Sequence, residues 1–438
     1  MARGGRVLVG LAARWQKFRQ EKRTSIKVVC FACICLLLGL LWNHKNLLFA
    51  PTETEDNYGM ITISKGSVGG DTPRIIIVGA GAAGLTAAKT FKQHGYNNVR
   101  ILESSKVFGG RARRTNTFAD YPIDLGPSWL HHPSWLPIIN GGDVDVPHVT
   151  FRDSKGKNRG YFFTGNYSWY DFIANHMAPD PESIVYGCQV DRIKYDDSEG
   201  KSSEVQVKCG KRTFVADKVI VTASLAVLKD RDITFEPTLP NKIIDAHPAI
   251  MMSGIKIIIE FQQRFYPEFL LISEYCISCG TNDRGDIEFW DYSAVYNSSR
   301  SVLAGYFVGK AANSLIHQSD KSIINDTLKW LDNKLGGNYA QKYYKKHLIV
   351  NWSKEPFVRG VYSTRRPQFP SNGPQNVDGK IYLAGEAFPY REQPNGWVHS
   401  AALSGKQAAV SVIGLETSEP TMESTWKPTA EPSLAQAM

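Results

Sequence analysis

The apolar, β-branched run Arg74-Ile-Ile-Ile-Val78 passes directly into Gly79-Ala-Gly81-Ala-Ala-Gly84, and nothing else in the chain narrows its fold as much. Such a run reads as a strand buried on both faces of a parallel sheet. Leu85 to His94 then supplies helix-forming Ala, Leu and Lys, and Asn98 to Leu102 a second strand ending in Glu103, 24 residues after the first glycine. A GxGxxG alone is weak, but between a strand and a helix, with an acid at this distance, it is the full dinucleotide-binding context. Gly79 permits the tight turn, Gly81 lets backbone N–H groups approach a pyrophosphate, and Gly84 lets helix and strand pack closely. The helix N-terminus, with Ala82 and Ala83 in its first turn, adds partial positive charge. Glu103 is placed to accept from an adenosine ribose.

Composition sets the scale. The chain has 438 residues, 42% of them hydrophobic, which is enough for two packed domains and too apolar for disorder. Its formal charge of +9 invites a nucleic-acid or anionic-membrane reading. Position removes the first of these, because residues 1–50 hold nine bases and one acid, leaving 42 bases and 41 acids in the remaining 388 residues. A body so balanced offers polyanions no basic patch, so nucleic acid is not an expected partner.

The basic leader, residues 1–27, runs into Val28 to Trp42, fifteen residues without a charge, and then Leu47 to Ala50. The run is short against the roughly 20 residues of a bilayer span, though Ile26 and a snorkelling Lys27 extend it. It reads as a transmembrane signal anchor over 28–49, with a cytosolic N-terminus and a lumenal body in the secretory pathway. An organelle transit sequence, for mitochondrion or plastid, is the alternative because the leader is Arg-rich and almost acid-free. Four Asn-x-Ser/Thr sequons begin at Asn166, Asn297, Asn325 and Asn351, no more than chance supplies. Cys276-x-x-Cys279 has no second CxxC and no His at zinc spacing, so no metal is expected. Residues 50–72 read as a stem and 415–438 as a disordered tail.

Further along stand Gly109-Gly110-Arg111, then Asp124-Leu-Gly126-Pro127-Ser128-Trp129-Leu-His131, and near the far end Ile381-Tyr-Leu-Ala-Gly385-Glu386 and Gly396-Trp397-Val398-His399. With the opening β-α-β unit, these motifs in this order resemble the flavin-containing amine oxidase family, which includes monoamine oxidases, polyamine oxidases and histone lysine demethylases. The likeness runs in patches from Arg74 to about Val412. It implies an α/β fold, with a discontinuous Rossmann-type FAD-binding domain (73–135, 183–250 and 351–414) and a smaller α+β substrate domain (136–182 and 251–350). This is the amine oxidase/glutathione-reductase-like two-domain arrangement. It also implies FAD contacts at Gly110, Arg111, Gly126, Pro127, Ser128, Trp129, Val190, Gly385, Glu386, Trp397 and Val398, beside those of the glycine-rich turn.

The resemblance assigns further roles. Met251 to Pro267 is similar to the family strand whose lysine holds a water at flavin N5, and Lys256 falls at that position; Ile255, Ile257, Ile258 and Ile259 crowd it, and a lysine in so apolar a run needs a polar partner. Tyr362 and Trp397 match the two aromatic walls of the substrate site, which suit a neutral amine about to lose hydride. His131 matches a substrate-side histidine of many polyamine oxidases. Monoamine oxidases carry a flavin-linking cysteine where this chain has Val361, so the FAD is expected to be non-covalent.

The activity implied is oxidation of a small-molecule amine, with polyamine oxidases the nearest branch through Trp-Leu-His. Hydride passes to the flavin, O2 reoxidises it to give H2O2, and the products are an aldehyde and a released amine or ammonia. Another FAD-dependent oxidoreductase or desaturase on the same scaffold, or a catalytically weak flavin-binding membrane protein, is the alternative. The departure that keeps these open is size: only about 55 residues separate His131 from Gly187, where the family usually holds a longer, largely helical insertion. Asp171, Asp180 and Glu182 are available for a polycation, but nothing singles them out.

Overall fold

Ile75–Val78 is an inner strand of a six-stranded sheet, paired in parallel with Val99–Leu102 on one side and Lys218–Val221 on the other. Lys218–Val221 pairs in turn with Ile381–Leu383, while Ile184–Val185 and the antiparallel Gln375–Val377 form the edges. Segments about three hundred residues apart in sequence therefore build one sheet, which is the expected discontinuous Rossmann-type domain. The computed structural model describes residues 60–62 and 72–415, apart from 153–157, 196–203, 242, 246–248, 269, 276–284, 365–374 and 391–392. The leader, the expected anchor over 28–49, nearly all of the tail and the Cys276-x-x-Cys279 pair lie outside the described residues. No helix among the described residues is long and apolar enough to cross a membrane.

Both faces of the central strand are covered. Ile75 and Ile77 pack with Leu85, Phe91 and Ala402 of the helices Ala82–Gln93 and Val398–Ile413, while Ile76 and Val78 pack with Ile193, Val207 and Phe214 of a second sheet. Ile75, Ile76 and Ile77 are each 0% exposed, and each contributes roughly 2 to 3 kcal/mol by leaving water. The two helices approach so closely that a Cβ on Gly405 would lie 2.0 Å from the Ala83 carbonyl oxygen.

The second sheet runs in the order Met60–Thr62, Arg212–Ala216, Val205–Cys209, Val190–Lys194 and Thr234–Glu236. Its first strand falls inside the stretch expected to be a stem. Met60-Ile-Thr62 is short and polar-flanked, and what makes it a strand is the free edge of Arg212–Ala216, to which it pairs in parallel.

The remaining large sheet is antiparallel, in the order Leu271–Tyr275, Gly285–Asp291, Ser301–Gly309, Gly254–Phe261 and Tyr344–Asn351. The helix Asp320–Leu335 lays Ile323, Ile324, Leu328 and Leu331 on one face, against Ile255, Ile257, Ile259 and Phe289. The other face carries Ile258, Trp290 and Ala304 and meets the hairpin His148–Arg152/Asn158–Phe163 through Phe151 and Phe162. The weak alternation of Gly254–Phe261 in the sequence follows, since all eight of its residues are buried. Among the described residues, the short insertion between His131 and Gly187 contains that hairpin and two helices, Trp135–Asn140 and Trp169–His176, before the chain returns to the sheet at Ile184–Val185.

Candidate active site

The glycine-rich turn has the conformation its sequence demands. Gly79 adopts φ +103°, and a Cβ on Gly84 would lie 2.0 Å from the Gly79 carbonyl oxygen, so both positions require glycine. Gly81 differs, because a Cβ there would meet nothing within 4 Å. Its open side faces a cavity of about 910 Å³, which Gly79, Ala82 and Ala83 also line at the helix N-terminus. Gly110 stacks against this turn, its own Cβ position 3.3 Å from Gly81 Cα. Gly84 itself is buried behind the cavity.

Glu103 lines the same end with its carboxylate already engaged: Oε2 accepts from the Ala80 N–H at 2.7 Å and Oε1 from the Ser105 N–H at 2.8 Å. Beyond it lie Val190 and Cys188, and Cys188 is disulfide-bonded to Cys209 across the second sheet, a pairing the sequence left open.

Further along, Glu386 ties three separate motifs together. Its carboxylate accepts from Arg111 Nη1 at 2.9 Å, from Ser363 Oγ at 2.5 Å and from the Gly396 N–H at 3.0 Å. Arg111 also donates to the Val361 carbonyl at 2.9 Å. A Cβ on Gly126 would lie 1.9 Å from the Arg111 carbonyl oxygen, so Gly126 is where Gly126-Pro127-Ser128-Trp129 crosses the Gly-Gly-Arg loop. Arg111, Gly126, Pro127 and Ser128 line the cavity on that side, and Gly385, Glu386 and Val398 on the other. Every residue from the dinucleotide and Gly-Glu motifs that the sequence proposed for the cofactor, Gly84 excepted, is thus brought to one hollow.

The four residues proposed for chemistry are placed differently. Tyr362 and Trp397 both line the cavity, where Trp129 also stands, and His131 stacks on Trp397 with ring centroids 3.7 Å apart. His131 exposes its ring to the cavity, yet the enclosing protein holds its pKa below the ordinary histidine value, so the imidazole is neutral at pH 7. Behind it, His399 stacks on Trp135 at 4.4 Å, and burial with the neighbouring His131 holds it neutral too.

Lys256 lies one layer behind the cavity wall, 1% exposed. Its Nζ is 2.6 Å from the Asp124 carbonyl, 2.9 Å from the Gly126 carbonyl and 2.5 Å from Ser128 Oγ. Burial pushes this ammonium down and the nearby Asp124 carboxyl up. A neutral amine satisfies the same three contacts by donating to both carbonyls and accepting from the Ser128 hydroxyl. The polar partner that the sequence demanded for Lys256 is therefore the Asp124–Ser128 turn, and Ser128 is its link to the cavity.

Sequence reasoning missed the acids at the far end. Asp171 is paired with Arg114 at 2.6 Å and Asp180 with Lys92 at 3.0 Å on the surface, whereas Asp286, Glu288, Trp290 and Tyr306 line the cavity. The signal was the alternation in Gly285-Asp-Ile-Glu-Phe-Trp-Asp291, whose every second side chain faces the hollow.

These features can be set beside known proteins. The model of the family described as "Flavin containing amine oxidoreductase" matches residues 148–413, more than half of the chain. The chain belongs to the flavin-containing amine oxidoreductase family. An "NAD(P)-binding Rossmann-like domain" matches residues 77–139, the glycine-rich turn and its surroundings. Among curated proteins, this family member is 22% identical to Polyamine oxidase 1 of Zea mays, over 78% of this chain and 90% of that protein. It is 29% identical to Lysine-specific histone demethylase 1 homolog 2 of Arabidopsis thaliana, over 72% of this chain and 40% of that protein. Its fold is similar to that of the cyclohexylamine oxidase from Brevibacterium oxydans IH-35A, with a TM-score of 0.60 at 15% identity, covering 78% of this chain and 99% of that one. A putrescine oxidase bound to putrescine shares it at a TM-score of 0.55 and 14% identity, covering 81% and 100%. The family implies FAD, and the cradle fits a dinucleotide: Gly81 leaves open space at a helix N-terminus, and the hollow continues past Arg111 to the aromatic residues.

Proposed function

We propose that this chain oxidises an amine with FAD held non-covalently, and that polyamines are its nearest substrate class. One observation carries the reading: a single hollow joins the dinucleotide cradle to a chamber lined by Tyr362, Trp397, His131 and Trp129, with Lys256 directly behind Ser128. When bound, the flavin supplies hydride acceptance from the carbon beside the amine nitrogen, and O2 takes the two electrons to give H2O2.

The protein's own part is orientation and proton control. Tyr362 and Trp397 present aromatic faces that hold the amine carbon and exclude water. His131, stacked on Trp397 and neutral, places no positive charge beside a substrate that has to reach its free-amine form. Water then hydrolyses the iminium product to an aldehyde and an amine or ammonia. Lys256, lowered by burial, passes or receives a proton through Ser128 Oγ. Non-covalent binding is supported by Val361 at the cavity wall and by Cys188, the one cavity-lining cysteine among the described residues, being in a disulfide. Anaerobic addition of spermine, spermidine, their acetyl forms and aromatic monoamines to the flavin-loaded protein tests the reading, since at least one must reduce the flavin.

We place the body in the lumen of the secretory pathway behind the N-terminal anchor. The Cys188–Cys209 disulfide supports an oxidising compartment. Asn166, Asn297 and Asn325 are exposed, whereas Asn351 donates from Nδ2 to the Ile316 carbonyl at 2.9 Å. Lumenal exposure predicts a glycosidase-sensitive mass at the first three and none at Asn351.

A further inference from the structure

Where the chain passes from the six-stranded sheet to the second sheet, one buried side chain holds it. Ile184–Val185 is an edge strand of only two residues, and Val190–Lys194 already belongs to the second sheet. Between them Tyr186, Gly187 and Gln189 are exposed, whereas Cys188 is 1% exposed, packs into the core, lines the cavity and is bonded to Cys209. Gly187 and Gly210, each next to one of the cysteines, stand at φ +62° and +59°, so the backbone turns sharply on either side of the bridge.

This crossing is zipped to the end of the cavity where Glu103 stands. The Glu103 N–H donates to the Val185 carbonyl at 2.9 Å, the Cys188 N–H to the Glu103 carbonyl at 2.9 Å and the Gly187 N–H to the Ser105 carbonyl at 3.1 Å. The Glu103 carboxylate in turn accepts from the Ala80 N–H inside the glycine-rich turn. Cys209 therefore holds Cys188, Cys188 holds Glu103, and Glu103 holds the turn that cradles a dinucleotide.

We infer that the Cys188–Cys209 disulfide is a positioning part of the cofactor seat, and that the chain holds FAD tightly only in its disulfide form. This goes beyond the amine-oxidation reading and does not depend on it. With the bridge open, the exposed crossing gains freedom, and the ordering of the Glu103 turn falls to the ligand. A seat formed about a tenth of the time weakens the apparent affinity about tenfold. The coupling is reciprocal, so bound FAD opposes reduction of the bridge by the same factor.

Reduction takes a dithiol. Its thiolate attacks Sγ of Cys188, the S–S bond breaks, and Cys209 leaves as a thiolate; the second thiolate of the reagent then closes on its own sulfur and frees Cys188. The reagent ends as a cyclic disulfide, two electrons pass to the protein, and each cysteine takes up a proton the dithiol gave up. Arg212 Nη2, 3.5 Å from Cys209 Sγ, favours that leaving thiolate. In a compartment that keeps thiols reduced the chain stays flavin-poor, and it loads once it is oxidised.

The test is titration of full-length, flavin-free protein with FAD, followed by flavin fluorescence without any amine, in the disulfide form and after reduction with dithiothreitol, with circular dichroism showing both forms folded. Reduction is expected to weaken binding at least about tenfold, and reoxidation to restore it. The double variant Cys188→Ser with Cys209→Ser keeps the other cysteines and should bind as weakly as the reduced wild type, with no response to dithiothreitol. Reduced wild type and double variant reach the unbridged state independently, so either decides if the other is not obtained. Leu331→Ala, which opens the core behind the antiparallel sheet, controls for lost stability alone and should keep wild-type affinity. Saturating FAD should also shift the dithiol–disulfide equilibrium by the factor separating the two affinities. Equal affinity in bridged and unbridged protein, an equilibrium that FAD leaves unmoved, or an equal loss in Leu331→Ala overturns the inference. Tight binding only in the disulfide form, by a flavin that no amine reduces, sinks the oxidation reading alone.

Discussion

At the scale of single residues, Lys256 separates what sequence can show from what only packing reveals. Its position in the strand and its need for a polar partner were legible from the isoleucines around it. That the partner is the Asp124–Ser128 turn was not, because those residues are 128 to 132 positions away. Lys256→Met removes a donor from two buried carbonyls and is expected to destabilise the fold by about 1 to 3 kcal/mol. It should also slow oxidation by O2 at least tenfold while flavin stays bound, and stopped-flow reoxidation showing no change would refute a role for this lysine. The paired histidines carry a pH signature. His131 and His399 are held neutral with folded-state pKa values below the unfolded one, so the unfolded chain binds more protons and stability falls as the pH drops below about 6.5. Denaturant melts at pH 7.5 and 5.5 should show the loss, and Trp135→Ala, which unpacks His399, should lessen the dependence.

At the scale of elements, the glycines of one turn do opposite jobs, and this was readable from their spacing. Gly84→Ala forces a methyl into the Gly79 carbonyl, 2.0 Å away, and should cost about 3 kcal/mol or more. Gly81→Ala meets no atom within 4 Å and keeps an ordinary φ of −83°. It should leave the melting temperature of the flavin-free protein nearly unchanged and weaken flavin binding at least tenfold, measured by flavin fluorescence on titration. Equal stability loss in both variants would contradict this division. Two elements escaped the sequence for physical reasons. Met60–Thr62 lacks a pattern of its own and is a strand only because an edge awaits it. Gly285–Asp291 was hidden because its alternate polar face, Asp286 and Glu288, turns to a hollow rather than to bulk solvent.

At the scale of the whole molecule, three stretches of sequence converge on one sheet and one hollow, and the motifs at their ends made that convergence legible. The disulfide was not, since Cys188 and Cys209 are 21 residues apart with nothing in their spacing to pair them. Closing a loop of that size should stabilise the fold by about 3 kcal/mol, so Cys209→Ser is expected to lower the melting temperature by several degrees. The central claim concerns the hollow as a unit, in which a flavin cradle opens into an aromatic chamber with an acidic end. Its most direct test is the absorbance of oxidised flavin in the full-length, flavin-loaded protein as amines are added without oxygen. The structure predicts loss of that absorbance with a di- or polyamine and its return, with H2O2, when air is admitted. A protein whose flavin dithionite reduces but no amine on the panel does would contradict it.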